Sequence, residues 1–287
     1  MKYSVKTRLL GSAALCTLGL GAAATQAADL ATIQKNGTLR VAVANEIPYG
    51  YMDIDGQAKG AGPDVAKHIA NALGIANIDW TVTNFGSLIP GLQADRYDMV
   101  AAEMAILPQR CKQIIYSEPN SSYGEGLLVA KGNPKDIHSF ESFATSGNKI
   151  AIMAGADQLE MLQFMKVPDE SMVTISSNSD AISTVATGRA DAYAATSLTV
   201  GELVSKAQDK VEAAANFQDP VVDGEVVRSW GGFAFAPDST DLRDAVNQEL
   251  AKFKKTDAWK QILTGYGFSD EDASQSFERT TAQLCAD

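Results

Sequence analysis

Histidine and cysteine are scarce in this 287-residue chain, which holds two of the first and three of the second. No cluster of them has the spacing of metal ligands. Neither histidine is placed for proton transfer, because His68 falls inside the helical repeat Val65, Ile69, Leu73 and His138 lies in a polar stretch. A Gly-x-Ser-x-Gly nucleophile turn and a glycine-rich phosphate loop are also missing. Positive charge is short as well, with 24 basic residues against 35 acidic ones, which excludes nucleic acid and anionic lipid as natural partners. Beyond residue 24 no apolar run approaches the roughly 20 residues that a membrane-spanning helix needs, so neither a membrane anchor nor a spanning sensor is expected.

What is present begins with an export pattern. Lys2, Lys6 and Arg8 precede the apolar stretch Leu9 to Ala24, and Thr25-Gln26-Ala27 ends it with small residues. This predicts a cleavable signal over residues 1–27. Lipid attachment at Cys16 is not expected, since the preceding Leu15 is bulky where lipoprotein processing needs a small residue. Without its three basic residues the remaining chain, 28–287, carries 21 basic and 35 acidic residues, a balance of −14. Its length permits two lobes. Cys111 and Cys285 remain in a compartment that allows oxidation, so they form either one disulfide or two buried thiols; the bonded form is the expectation.

Strand and helix patterns then take turns. Leu39 to Ala44 alternates as a strand, Val65 to Leu73 repeats as a helix, Ser87 is placed to cap the next helix with Pro90 in its first turn, and Asp98 to Ala102 returns as a strand. Later, Lys149 to Met153, Met172 to Ile175 and Asp191 to Ala195 read as strands, separated by helices at Gln158 to Met165 and Asp180 to Thr187. The alternation predicts an α/β protein of mostly parallel sheets covered by helices. Gly91 to Asp98 echoes Val185 to Asp191 around an Arg-x-Asp, which two similar lobes explain. A last helical face, Leu242, Val246, Leu250 and Phe253, continues through Trp259 and Ile262 to Gly265 and is expected to pack back on the first lobe.

Gly37-Thr38-Leu39-Arg40-Val41, Asp98-Met99-Val100 leading to Pro108-x-Arg110, and Gly188-Arg189-Ala190-Asp191-Ala192 resemble the periplasmic amino-acid-binding protein family, the solute receptors of polar amino-acid ABC importers. Within that family, Ala44-Asn45-Glu46-x-Pro48-Tyr49-Gly50-Tyr51, Phe85 to Gln93 and Arg110-Cys111 look most like the ectoine and hydroxyectoine receptors. The resemblance implies a two-lobed, type II periplasmic-binding fold with two crossing strands as hinge, near Glu125 to Lys131 and Arg228 to Phe235. The first lobe then comprises 28–130 and 228–287, and the second 131–227. It also implies a periplasmic monomer that passes a small zwitterion to a membrane permease, with no cofactor and no metal.

A zwitterion leaving water needs a cation for its carboxylate, an anion for its cationic end and a surface for its body. Arg110 is the expected carboxylate partner, because a guanidinium offers two parallel donors. Glu46 lies just past the first strand, where parallel sheets place their ligand crevice, and in ectoine receptors the matching glutamate meets the ring nitrogens. Tyr49 and Phe85 match the aromatic positions that sandwich the ring. Many amino-acid receptors carry an acid for the α-ammonium where Thr196 stands here, so its absence favours a ligand without a free α-amino group; Asp157 is placed to compensate. Glu103 and Ala105 depart from the ectoine pattern, which has glycine and an aromatic there, and Trp230 is the candidate to replace that aromatic wall. The alternative readings are a receptor for a polar amino acid and, further off, a dehydratase or lyase on the same fold.

Overall fold

The computed structural model describes residues 29–222 and 224–286; the expected signal 1–27 and Cys16 lie outside the described residues. The chain builds two central sheets. The first runs in the order Asn77–Val82, Thr38–Val43, Met99–Ala105, Ser229–Phe235, Ile115–Tyr116, with Ser121–Tyr123 also paired to Ser229–Phe235. The second runs Met172–Ile175, Ile150–Met153, Ala192–Thr196, Glu125–Ala130, Val211–Ala213. In each, parallel strands are joined at one side by an antiparallel strand from elsewhere in the chain.

Burial on both faces explains why the strands read as nearly unbroken apolar runs. Val41, Met99, Ala101, Phe233 and Phe235 enter the core on one face of the first sheet, and Ala42, Val100, Ala102, Met104 and Ala234 the core on the other. The second sheet divides its side chains likewise, with Ala151, Tyr193 and Ala195 on one face and Ile150, Ile152, Ala192 and Ala194 on the other.

The Arg-x-Asp echo has a single structural job in both lobes. Asp98 Oδ2 accepts the backbone N–H of Arg40 at 2.8 Å, and Asp191 Oδ2 accepts that of Lys149 at 2.8 Å. Each aspartate thereby ties the start of its own strand to the neighbouring strand of the same sheet. The passages between the sheets lie at the starts of the strands expected to carry them. Tyr123 pairs in the first sheet and Glu125 already in the second, so Gly124 makes one passage; Val227 and Arg228 make the other, before Ser229 joins the first sheet.

Some local expectations are corrected. Ser87 directly precedes the helix Leu88–Gln93, but its side chain makes no cap hydrogen bond, because a 3-10 turn over Phe85–Ser87 already holds its backbone in helical geometry. The final helix is interrupted: Thr240–Phe253 ends, and Asp257–Gly265 restarts with the Thr256 side chain accepting from the Trp259 N–H. Both helices pack against Ala61–Ala72 in the first lobe.

Cys111 and Cys285 are bonded, with Cα atoms 5.7 Å apart and a sequence separation of 174. The bond fastens the helix Thr281–Ala286 to the short helix Pro108–Cys111. Closing a loop of this length contributes up to about 5 kcal/mol by the chain-entropy estimate. Protein comprising residues 28–287, denatured without reductant, is expected to show no free thiol on titration. Two thiols per chain would show the bond to be absent in solution.

Candidate functional site

The carboxyl ends of the parallel strands of both sheets open toward one cleft. From the first lobe, the loops after Thr38–Val43, Asn77–Val82 and Met99–Ala105 bring Glu46 and Tyr49, Phe85, and Arg110. From the second, those after Ile150–Met153, Met172–Ile175 and Ala192–Thr196 bring Asp157, Asn178 and Thr199. Between them lies a small cavity bordered by Glu46, Tyr49, Phe85, Glu103, Ala105, Asp157 and Thr196 among others. Parallel α/β sheets place ligands at this end for a topological reason, since the strands diverge into loops there.

A tight turn positions the first pair. Glu46 and Gly50 exchange backbone hydrogen bonds, each 2.9 Å, so Glu46 and Tyr49 project from one small loop. Only glycine fits at position 50, where a Cβ would stand 2.6 Å from the carbonyl oxygen of Ala101. Glu46 Oε1 accepts from Asn178 Nδ2 at 2.9 Å and from Thr199 Oγ1 at 3.0 Å, both in the opposite lobe. Burial pushes this carboxyl above the usual carboxylate range; the bonds from Asn178 and Thr199 oppose the shift, and the charge of Asp157 adds to it.

Aromatic rings wall the cavity. Tyr49 donates its hydroxyl proton to Thr196 Oγ1 at 2.7 Å, again across the cleft. Its ring lies 5.1 Å from that of Tyr123, which donates to the carbonyl of Glu103 at 2.7 Å. Tyr193 borders the cavity from the second lobe, and its hydroxyl bonds Asn178 Oδ1. The phenol protons are thus engaged, and the ring surfaces remain for a ligand body.

Thr196 does a structural task. It caps the helix Ser197–Lys206, accepting the Thr199 N–H at 3.2 Å, and donates to Thr199 Oγ1 at 3.1 Å. No acid stands at this position in the cleft. Asp157 borders the cavity, and its Oδ2 accepts from Ser229 Oγ at 3.1 Å.

Arg110 is buried beside the cavity without bordering it. Its guanidinium donates to the carbonyl of Ala105 at 2.9 Å and to that of Gly155, in the second lobe, at 2.9 Å, and it lies 5.6 Å from the centre of the Phe85 ring.

Two expectations need correction. Glu103, expected as an extra carboxylate for the ligand, borders the cavity with both oxygens already engaged inside the first lobe, one by Asn120 Nδ2 at 2.6 Å and the other by Ser121 Oγ. Trp230 does not replace the missing aromatic wall. Its indole N–H donates to the carbonyl of Gln275 at 2.8 Å and its ring faces Arg279, because Ser229, its neighbour on the strand, takes the cleft side. Tyr123 and Tyr193 supply those walls instead.

Asn178, Thr199, Gln158, Tyr123 and Tyr193 were missed by reading the sequence. A usable signal existed for Asn178 and Thr199, which stand just past the second-lobe strands Met172–Ile175 and Ala192–Thr196, where the crevice rule also placed Glu46. Among the described residues there is no cluster of His, Cys, Asp or Glu able to hold a metal ion, and no helix long and apolar enough to cross a membrane.

The lobes touch at a pair of glycines. Gly155, in left-handed geometry with φ 81°, lies against Gly86, and a Cβ on Gly86 would stand 3.1 Å from the Ala154 carbonyl oxygen. Gly86→Val therefore crowds this contact between the lobes. It is expected to raise the ligand dissociation constant by the equivalent of about 1–3 kcal/mol, a typical cost of overpacking, with an unchanged melting temperature in the absence of ligand. Calorimetry and thermal unfolding check this, and unchanged affinity would show that the contact is not needed for binding.

Two α/β lobes with converging loops and a polar and aromatic cavity between them define a cleft-binding protein for a small solute. Residues 39–269 match the bacterial extracellular solute-binding proteins, family 3, and the chain belongs to that family. It is 54% identical over 97% of its length, and 93% of the relative's, to a protein of Sinorhizobium fredii named as a probable amino-acid ABC transporter periplasmic-binding protein. It is 26% identical to the L-cystine-binding protein TcyJ of Escherichia coli, over 78% of this chain and 80% of that one. Among solved structures, EhuB in complex with hydroxyectoine is similar with a TM-score of 0.81 and 33% identity, covering 89% of this chain and 97% of that one.

Proposed function

We propose that the chain is the periplasmic receptor of an ABC importer and captures a small ring-shaped zwitterion, of the ectoine and hydroxyectoine type, between its closing lobes. The coarser part of this, a solute-binding receptor of an amino-acid-type ABC transporter, follows from its family and its relatives. Those relatives are named for binding, which points away from turnover.

The observation that carries the ligand class is the setting of Glu46. Its Oε1 is held by Asn178 and Thr199 while its Oε2 accepts no hydrogen bond among the described residues, in a cavity walled by Tyr49, Phe85, Tyr123 and Tyr193. A delocalised ring cation is served by one carboxylate and by aromatic faces. A compact ammonium needs several directed acceptors, and Thr196 is spent on its helix cap. Arg110, 5.6 Å from the centre of the Phe85 ring, is the cation we assign to the ligand carboxylate, which it meets from behind the wall that Phe85 and Ala105 form. The likeness to EhuB supports the same reading.

A thermal-shift screen of the purified protein against ectoine, hydroxyectoine, betaines and the polar amino acids tests it. A ligand at a hundredfold over its dissociation constant adds about 2.7 kcal/mol of stability. Response to a standard amino acid with none to ectoine or hydroxyectoine would overturn the reading. That second reading, a polar amino-acid receptor, is favoured by one observation, the buried carboxylate of Asp157 on the cavity wall, and it expects Asp157→Asn to abolish binding of that amino acid.

A further inference from the structure

The end of the cavity nearest the two passages between the lobes carries acceptors that the reading above leaves unused. Asp157 is 7% exposed; Ser229, on the returning strand, bonds its Oδ2, and its Oδ1 makes no hydrogen bond among the described residues. Gln158, 3% exposed, also borders the cavity. Its Nε2 donates to Glu125 Oε2 at 2.7 Å, and its Oε1 makes no hydrogen bond among the described residues. Glu125, 3% exposed, begins the strand just past Gly124, and its own Oε1 is buried with no hydrogen-bond partner among the described residues. Asp157 Oδ1 and Gln158 Oε1 are thus the two acceptors on this part of the cavity wall that no donor of the described residues meets, and a polar group covered by a ligand costs free energy unless the ligand brings it a donor.

We propose that Asp157 and Gln158, with Glu125 fixing the orientation of the Gln158 amide, form a second subsite at the hinge end of the cavity that takes a hydroxyl or amino donor on the ring of the bound zwitterion. The inference rests on the ring-zwitterion reading and narrows it to solutes that carry such a donor in addition to their carboxylate and their delocalised cation. Glu125 acts as a positioning residue. Ionised, it accepts from the Gln158 amide nitrogen and turns the amide oxygen to the cavity; protonated, it donates to that oxygen and turns the nitrogen there instead, where it opposes a ligand donor. Burial drives the Glu125 carboxyl well above its usual range, the nearby charge of Asp157 adds to this, the Gln158 bond opposes it, and Asp219 raises it further. Glu125 also faces Tyr49 electrostatically and pairs with Thr196 on the adjoining strand.

Ectoine and hydroxyectoine differ by one ring hydroxyl and make the test. At mildly alkaline pH the protein is expected to bind hydroxyectoine about tenfold more tightly than ectoine in calorimetry. Gln158→Met and Asp157→Asn are each expected to bring the ratio of the two affinities close to one. The ratio is expected to grow with rising pH in the natural protein and to be flat in Glu125→Gln; taking the ratio cancels the titration of Glu46, which both ligands meet alike. Equal affinities for the two solutes, or a preference that survives both Gln158→Met and Asp157→Asn, would overturn the subsite while leaving the ring-zwitterion reading in place. If neither solute binds, that reading fails by itself, and L-lysine against L-norleucine repeats the comparison of one donor; a lysine preference abolished by Gln158→Met would keep the subsite, and any other result would remove it.

Discussion

Glu46→Gln is expected to weaken binding of a cationic ring solute by about a hundredfold or more, the scale of a buried charge left without its partner. The substitution is a clean one in this structure. Both bonds from the second lobe, from Asn178 and from Thr199, go to Oε1, and the glutamine carbonyl can keep them. What is lost is the charge on Oε2. The same argument gives a pH dependence. Burial raises the Glu46 carboxyl, so in the empty site it takes up a proton above the ordinary carboxylate range, and a cationic ligand must displace that proton. Affinity is therefore expected to be full on the alkaline side of the shifted value and to fall as the pH drops through it. The weakened Glu46→Gln protein should lose this slope. Calorimetry over a pH series measures both effects, and unchanged affinity in Glu46→Gln would take Glu46 out of the site.

Arg110→Lys is expected to cost at least about tenfold in affinity with the fold intact, because the charge stays while the fork is lost. The guanidinium already spans the cleft, holding the Ala105 carbonyl in one lobe and the Gly155 carbonyl in the other. A planar group with several donors can keep both and still present a pair to a carboxylate. A lysine ammonium offers three donors from one point and cannot reach both carbonyls and the ligand together. Binding measured by calorimetry, with circular dichroism as the control for folding, decides it. A lysine variant that binds as tightly as the natural protein would assign the carboxylate to another group.

The α/β class and most elements were legible because they depend on local pattern. Val65 and Ile69 do repeat on the buried face of Ala61–Ala72, and Met172 to Ile175 is a strand at the predicted bounds. Boundaries slipped where a neighbouring turn took over, as at Ser87, whose capping role was removed by the 3-10 turn before it. The break at Lys254 to Thr256 was invisible to periodicity, since Phe253 and Trp259 stay on the buried side through the interruption.

Residue chemistry, strand ends and the family resemblance together pointed to Glu46, Tyr49, Phe85 and Asp157, which border the cavity, to Arg110, which lies beside it, and to the Cys111–Cys285 bond. Which oxygens are free was decided only by tertiary structure. Glu103 and Glu46 are both buried glutamates, yet Asn120 and Ser121 take both oxygens of the first, whereas Asn178 and Thr199 share one oxygen of the second and leave the other open. Trp230 and Ser229 are adjacent, and the strand's two-residue alternation together with its pairing determines that the serine, not the tryptophan, meets the cleft. The partners that make this distinction, Asn178 at 132 residues from Glu46 and Thr199 at 153, come from the other lobe. A local pattern carries no information about contacts at that separation; they exist only once the two sheets face each other across the cleft.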